Sequence, residues 1–228
     1  MRGREVWPRP SIEVEHRMIN APVTGVLLAG GQSRRMGGGD KGLLPLAGTS
    51  MLQHAIERLA PQVSALVLNA NGDPSRFAGL GLPVVADPIT GFVGPLAGVL
   101  AGMRWSLAHA PQHAFIVTAA GDAPLLPRDL VTRLLRALQG ESRRIALARS
   151  NGALHPVIGL WPVALAADLE DQLRQGVRKV LAWTDRHGTV GVDFANQWID
   201  GREIDPFFNA NTPQEFDELR GLLAQSRG

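Results

Sequence analysis

The sequence contains no cysteine and no tyrosine, and only two lysines beside twenty-one arginines. Without cysteine there are no disulfides and no thiolate metal sites, which fits a reducing compartment. No apolar run approaches the roughly eighteen residues that indicate a membrane span. Residues 1–21 are charged and lack the apolar segment of a signal peptide. We therefore expect a cytoplasmic protein with no membrane partner.

The charge balance is nearly neutral, with a formal net charge of +2 although the sequence pI is about 9.9. Because no tyrosine or cysteine titrates between neutral pH and the lysine range, a small positive excess keeps the pI high. No basic run is longer than two residues. Binding driven by neutralising the phosphates of a nucleic acid is therefore weakly supported, and we expect no nucleic-acid partner.

The length and hydrophobic content set the domain organisation. A chain of 228 residues with 45% hydrophobic content can build one substantial core. The composition predicts one domain over residues 22–228, preceded by a disordered tail over residues 1–21. Met18, four residues before Pro22, offers a second translation start.

Apolar strand patterns alternate with helical patterns along the chain, which predicts an α/β protein with three layers (α/β/α) and a mostly parallel central sheet. The predicted strands are 23–29, 63–69, 83–86, 114–119, 145–148, 157–161 and 190–194, the fifth and sixth being partly antiparallel. The predicted helices are 50–60, 96–107, 127–138, 163–173, 177–184 and a last one that starts at the capping box Thr212-Pro-Gln-Glu215. Ligands bind outside the carboxyl ends of such strands, so polar residues just after them should converge.

The segment 28–42, directly after the first predicted strand, is the most informative part of the sequence. Residues 30–39 of this segment contain five glycines, and the segment carries three cations: Gly30, Gly31, Gly37, Gly38, Gly39, Arg34, Arg35 and Lys41. Glycines let the backbone approach a ligand, and successive N–H groups in such a loop can bind an anion. A lysine in so arginine-rich a chain suggests a site that needs a compact point charge. The segment predicts a polyphosphate-binding loop.

Two other phosphate loops do not fit these residues. A Walker A loop needs serine or threonine after its lysine, whereas Lys41 precedes Gly42. A dinucleotide fingerprint runs directly into a helix, whereas eleven mostly polar or glycine residues separate Gly31 from Leu43. The alternative without function is a flexible surface loop.

Two aspartates follow predicted strands and are candidate functional residues. Asp122 lies just after the predicted strand 114–119. A carboxylate at that place, facing a triphosphate, would ligate Mg²⁺. Alternatively, Asp122 caps a helix or turn that starts at Pro124. Asp87 follows strand 83–86 and precedes Pro88, so it also has a turn-forming alternative.

Three later features have both a functional and a structural interpretation. The segment Gly91-Phe-Val-Gly-Pro-Leu-Ala-Gly98 leads into a helix whose N-terminus could bind a second phosphate, or its glycines could serve helix packing. His155 precedes an apolar strand, where a structural role is favoured. Asn209 and Asn211, before the last helix, could bind a ligand or form a turn.

Taken together, these motifs resemble the molybdenum cofactor guanylyltransferases over roughly residues 22–223. The resemblance rests on the glycine loop 28–42, Asn69-Ala-Asn71, Asp87, Gly94-Pro-Leu-Ala-Gly98, Gly121-Asp122-Ala-Pro124, His155-Pro-Val and Phe208-Asn-Ala-Asn-Thr-Pro. It implies a Rossmann-like nucleotidyltransferase fold and transfer of GMP from GTP to the terminal phosphate of molybdopterin or its molybdenum-loaded form, with release of pyrophosphate. The family more often has threonine at the position of Ala123, a change that leaves the neighbouring carboxylate intact.

The resemblance also implies roles for individual residues. The GTP side would involve Leu28, Ala29, Gly30, Lys41, Asn69, Asp87 and Asp122, with Asp122 as the ligand of Mg²⁺. The pterin side would involve Arg35, Gly38, Gly94, Gly98, Arg178, Asn209 and Asn211. Lys41, Arg35 and Asp122 would carry catalysis, and the product implies transient contact with cofactor-delivery or acceptor proteins.

Two other classes of function stay open at this stage. One is a related nucleotidyltransferase that uses CTP or a sugar phosphate, although relatives using CTP resemble Leu-Ala-Ala-Gly where this chain has Gly30 after Ala29. The other is a non-catalytic nucleotide sensor. A sensor could lose its metal ligand and still bind, so the presence of both Lys41 and Asp122 favours an enzyme.

Overall fold

The structure, a computed structural model, describes residues 21–29, 41–89, 94–210 and 212–225. The expectations for the tail, for Gly30, Arg35 and Gly38 in the glycine loop, and for Asn211 therefore lie outside the described residues. The single domain over 22–228 stays a prediction.

The described elements alternate between strands and helices as the sequence predicts. The strands are β1 (Val23–Leu28), β2 (Pro45–Leu46), β3 (Thr49–Ser50), β4 (Ala65–Asn69), β5 (Val84–Val85), β6 (Phe115–Ala120), β7 (Ala146–Ser150), β8 (Ala153–Pro162), β9 (Val190–Asp193), β10 (Gln197–Ile199) and β11 (Arg202–Ile204). The α-helices are α1 (Met51–Leu59), α2 (Pro95–His109), α3 (Leu130–Ala137), α4 (Ala166–Arg174), α5 (Val180–Thr184) and α6 (Pro213–Gln225). Short 3₁₀ helices span Lys41–Leu43, Ala60–Gln62, Pro74–Leu80, Val163–Leu165 and Asp185–His187.

Seven of these strands form the central sheet, in the order β5-β4-β1-β6-β8-β7-β9. The pairs β4–β5, β1–β4, β1–β6 and β7–β9 are parallel, whereas β8 is antiparallel to both β6 and β7. The mostly parallel sheet is confirmed, and so is the antiparallel pairing of the fifth and sixth predicted strands. The strand order reverses direction between β1 and β6, which is the place where sheets of this kind bind ligands.

Apolar side chains from the two faces of the sheet pack under separate helices, which gives the three predicted layers. On one face, Leu27 and Val117 lie in a core with α1 and α3. On the other face, Val26 and Ile116 lie in a core with α2, α4 and α5. Alternation along β1 explains this division, since successive strand residues point to opposite faces.

A third apolar cluster lies beside the sheet and joins α6 to the small hairpins. Leu46, Met51, Leu125 and Leu219 are buried in it, and side chains of β10 and β11 pack against it. The hairpins β2–β3 and β10–β11 were not predicted, because strands of two or three residues are too short to show an alternating pattern.

The starts of α6 and α5 can be compared with the helix starts that the sequence predicts. The capping box is confirmed, because the Thr212 N–H donates to Glu215 Oε2 at 3.0 Å and the Glu215 N–H donates to Thr212 Oγ1 at 3.2 Å. The helix predicted over 177–184 begins only at Val180, after an extended Lys179. No helix in the described part of the chain is long and apolar enough to cross a membrane.

Candidate functional site

The carboxyl ends of β1, β4 and β6 lie side by side and form the floor of the candidate site. In register, Leu28 pairs with Asn69 on one side and with Ala120 on the other. The ladder continues past the strands, since the Ala29 N–H donates to the Asn69 carbonyl and the Gly121 N–H donates to the Leu28 carbonyl, both at 2.9 Å. The segments that leave these strands are therefore fixed next to each other.

An ion pair joins two of the predicted catalytic residues on this floor. Lys41 Nζ donates to Asp122 Oδ2 at 2.8 Å, although 81 residues separate the two in the chain. Their side chains are only 10% and 25% exposed. Burial weakens screening by water, so each of these charges acts more strongly here than it would on an open surface. The ion pair places a compact cation and a carboxylate at the reversal point of the sheet.

Local structure accounts for the positions of both charges. The Ala123 N–H donates to the Ala120 carbonyl at 3.2 Å and closes a turn that carries Asp122. Lys41 opens a 3₁₀ helix, and a side chain on Gly42 would come within 3.4 Å of the Gly121 carbonyl oxygen. The helix of Lys41 therefore packs directly against the turn of Asp122.

The alternative that Asp122 caps a helix or turn at Pro124 gains no support from its hydrogen bonds: a turn does lie at Pro124 and Leu125, but within the described residues the Asp122 carboxylate accepts no hydrogen bond from it. The next α-helix, α3, begins at Leu130, with Asp129 at its N-cap position. Within the described residues, the Asp122 carboxylate instead accepts hydrogen bonds from Lys41 and, at a long 3.4 Å, from Asn209 Nδ2. The carboxylate thus faces the candidate site and not a helix terminus.

A second polar group lies at the ends of β4 and β5. Asn69 is buried, and its Nδ2 donates to the Val85 carbonyl at 3.2 Å and to Asp87 Oδ1 at 3.0 Å. Asn71 Nδ2 donates to Asp87 Oδ2 at 2.7 Å and its Oδ1 accepts from the Asp87 N–H at 2.9 Å. Two amides therefore fix the Asp87 carboxylate. The sequence motif included Asn71 but gave it no role; its spacing of two from Asn69 was the available signal.

The two glycines of α2 support the packing interpretation. A Cβ on Gly98 would lie 2.3 Å from Asn69 Oδ1 and 2.7 Å from Leu28 Cδ2, and one on Gly102 would lie 2.5 Å from Val26 Cγ2. Both glycines let α2 approach the sheet closely. At Gly98 the close contact is with Asn69 and Leu28, two residues of the candidate site, so the packing of α2 there also fixes the position of site residues. Gly94 occupies the N-cap position of the same helix.

We expect Gly98→Ala to disturb both stability and the site. The added methyl group would displace Asn69 from Asp87 or push α2 outward, so we expect a loss of about 1–3 kcal/mol in the free energy of unfolding and weaker nucleotide binding. Gly102→Ala, one turn away against Val26, should cost similar stability without touching Asn69. Thermal unfolding and nucleotide titration of both variants check this prediction. Equal nucleotide affinities of Gly98→Ala and Gly102→Ala would contradict a link between Gly98 and the site.

The residues assigned to the pterin side are only partly brought together. Asn209 contacts Asp122, as described above. Arg178 does not lie on a helix, because α5 begins after it; the expectation that it lies on helix 177–184 is wrong. It is exposed, and its Nη1 donates to the carbonyls of Leu173 and Val177 at 3.4 and 3.3 Å. Its role toward a second substrate stays a prediction.

The donor atoms of the site fit a hard divalent cation held partly by substrate. The described residues contain no group of three or more His, Asp or Glu side chains that could hold a metal alone. Mg²⁺ is usually held by one or two carboxylates together with phosphate oxygens, because it dehydrates reluctantly. Asp122 supplies one such carboxylate, and within the described residues its Oδ1 accepts no hydrogen bond.

Comparison with known proteins gives consistent results. The MobA-like NTP transferase domain matches residues 25–190. A molybdenum cofactor guanylyltransferase of Bradyrhizobium sp. (strain ORS 278) is 51% identical over 89% of this chain and 93% of that protein. Another, of Rhodopseudomonas palustris (strain BisB5), is 51% identical over 92% of this chain and 99% of that protein.

Solved structures share the fold. Molybdopterin-guanine dinucleotide biosynthesis protein A from Archaeoglobus fulgidus aligns with a TM-score of 0.67 and 22% identity, over 89% of this chain and all of that one. Rv0371C from Mycobacterium tuberculosis, solved in complex with manganese, aligns with a TM-score of 0.57 and 20% identity, over 88% of this chain and 98% of that one. The fold, the paired charges at its switch point and the extent of identity together place this chain in the molybdenum cofactor guanylyltransferase family, as a nucleotidyltransferase.

Proposed function

We propose that this protein transfers GMP from GTP to the terminal phosphate of molybdopterin, or of its molybdenum-loaded form, and releases pyrophosphate. The observation that carries the proposal is the Lys41–Asp122 pair at the switch point of the sheet, beside the amide-held carboxylate of Asp87. The part of the site with Lys41 and Asp122 is suited to a triphosphate with its metal ion, and the part with Asp87 is suited to a nucleoside.

The GTP side would be formed by the carboxyl ends of β1, β4 and β5. Leu28, Ala29 and Gly30 would contact guanine and ribose, and Asn69 and Asp87 would help bind the guanosine. An ionised carboxylate only accepts hydrogen bonds, so Asp87 suits ribose hydroxyls or the N–H groups of guanine. Because both of its oxygens are fixed by amides, it presents those acceptors in one orientation, which favours a selective site.

Catalysis would rest on positioning and charge. The acceptor is a phosphate monoester that is already largely dianionic at neutral pH, so it needs no general base. Lys41, with Arg35, would offset negative charge on the triphosphate as the in-line displacement proceeds. Asp122 would hold Mg²⁺, which supplies further charge neutralisation on the phosphates when bound. The partly buried floor limits the access of water to these charges.

The pterin side would use Arg35, Gly38, Gly94, Gly98, Arg178, Asn209 and Asn211. Asn209 is the described member closest to the catalytic pair, through its contact with Asp122. Gly98 would act by allowing α2 to approach Asn69. We further propose that the reaction takes place in the cytoplasm and that the product passes to delivery or acceptor proteins by transient contact.

Nucleotide choice tests the proposed function. We expect pyrophosphate release from GTP, in the presence of Mg²⁺ and molybdopterin, to exceed that from CTP and ATP by at least about a hundredfold, since a hydrogen-bonding site strongly rejects a base with the wrong donors. The assay compares the nucleotides with the purified protein, with and without molybdopterin. Equal or faster release with CTP would instead indicate a cytidylyltransferase. Binding of GTP without acceptor-dependent release would indicate a sensor.

A further inference from the structure

A second polar network lies on the same edge of the sheet, beyond β6. Ser150 ends β7 and His155 lies near the start of β8, and β8 runs antiparallel beside β6. Their register pairs Phe115 with Pro162 and Thr118 with Gly159, so the start of β8 lies at the same edge of the sheet as the end of β6. The third member, Asp205, follows β11 at the base of the β10–β11 hairpin.

The chemistry of these side chains fixes the direction of their hydrogen bonds. A carboxylate can only accept, so Ser150 Oγ donates to Asp205 Oδ2 at 2.7 Å. The serine proton is then used, and His155 must donate its Nε2–H to Ser150 Oγ at 2.6 Å. This order differs from a nucleophilic triad, in which the aspartate orients the histidine and the histidine activates the serine. The network is therefore suited to holding a segment in place.

The segment that it holds leads directly to Asn209. Asp205 Oδ1 accepts from the Phe207 N–H at 2.8 Å, and the Phe208 N–H donates to the Asp205 carbonyl at 3.1 Å. The ring of His155 packs against that of Phe207, with 4.6 Å between centroids. The turn 205–208 is thus attached to the sheet by its carboxylate and by an aromatic contact. Asn209 follows this turn, and its Nδ2 reaches Asp122 Oδ2.

We propose that His155, Ser150 and Asp205 form a positioning network that holds Asn209 against Asp122 and thereby shapes the acceptor side of the site. Lys41 lies against the same carboxylate, so the network would fix Asn209 as a second neighbour of Asp122. The proposal rests on the proposed function, because the acceptor is the molybdopterin phosphate. It makes His155 a positioning residue rather than a catalytic one.

Single substitutions test the network by separating the two substrates. Ser150→Ala removes the hydrogen bond to Asp205 Oδ2, to which Asn151 Nδ2 also donates at 3.0 Å, whereas His155→Leu removes the donor that orients Ser150 and the ring contact with Phe207. For each variant we expect kcat/KM for molybdopterin to fall about five- to tenfold, the effect of one lost hydrogen bond. The Kd for GTP measured without acceptor should stay within about twofold, since the GTP side keeps its contacts. His155→Gln, which can still place an N–H near Ser150, should recover most of the loss.

Ser106→Ala is the matched control. Ser106 is also a buried serine, hydrogen-bonded to Thr24 Oγ1 at 2.9 Å, but Thr24 lies near the opposite end of β1. The Ser106→Ala variant should be less stable but keep the wild-type kcat/KM for molybdopterin and Kd for GTP. Wild-type values for molybdopterin in Ser150→Ala and His155→Leu, or a GTP Kd that rises in parallel with the loss, would overturn the proposal.

Amide hydrogen exchange separates failure of this proposal from failure of the proposed function. In Ser150→Ala, the amides of Phe207 and Phe208 should exchange faster than in the wild type, while Ser106→Ala leaves them unchanged. This readout needs no turnover, so it applies even if the wild type does not join GTP to molybdopterin. Unchanged exchange at both amides would overturn the network whatever the substrates are.

Discussion

Asp122→Asn should yield a folded protein in which GMP transfer is slowed by at least about a hundredfold. Asparagine keeps the shape and an oxygen, so Lys41 Nζ retains a hydrogen-bond acceptor at 2.8 Å and the turn after β6 can form. The substitution removes the negative charge, however, and with it both the ion pair and the charge that Mg²⁺ requires from the protein. We expect the loss to appear mainly in kcat and to be larger at limiting Mg²⁺.

Asp193→Asn is the matched control for this prediction. Asp193 also ends a strand of the central sheet, β9, and is paired with an arginine, since Arg149 Nε donates to its Oδ1 at 2.6 Å. Its side chain is 70% exposed, so its ion pair is weak and solvent-screened. Asp193→Asn should change turnover by less than about twofold. Near-wild-type turnover of Asp122→Asn at limiting Mg²⁺ would rule out Asp122 as the metal ligand.

The position of Asp122 shows how far the sequence could lead. Parallel strands place their carboxyl ends at one edge, so the pattern of apolar runs was enough to group Asp122 with Asn69 and Asp87. Spacing alone left open whether Asp122 caps a helix. The choice depended on where α3 begins and on a partner 81 residues away, neither of which is a local property.

The features that the sequence did not reveal have separate physical causes. The link between Ser150 and Asp205 joins the central sheet to a hairpin whose strands have three residues each, and so few residues produce no periodic signal. The sequence predicts a helix over 177–184 that contains Arg178, but the extended backbone of Lys179 delays the start of α5. Gly98 was detected, yet only the packing of α2 against Asn69 shows what a side chain there would meet.

Substitution of Lys41 is expected to cause the second large loss of activity. Lys41→Met should lower kcat/KM for GTP by about a hundredfold or more, because it removes the cation that faces Asp122 and, in the proposed mechanism, the triphosphate. Lys41→Arg keeps the charge but replaces a compact ammonium with a larger planar fork. The lysine side chain is only 10% exposed and its helix packs against the turn at Gly121, so the fork has little room. We expect arginine to restore less than a tenth of the lost activity.

Lys179→Met provides the control, because Lys179 is the other of the chain's two lysines and lies exposed just before α5. It should leave kcat/KM for GTP within about twofold of the wild type, whereas thermal unfolding should show all three variants folded. Near-full activity of Lys41→Arg would mean that charge alone matters at position 41. The inference from a rare lysine in an arginine-rich chain would then fail, because its premise is that the site selects the shape of the cation as well as its sign.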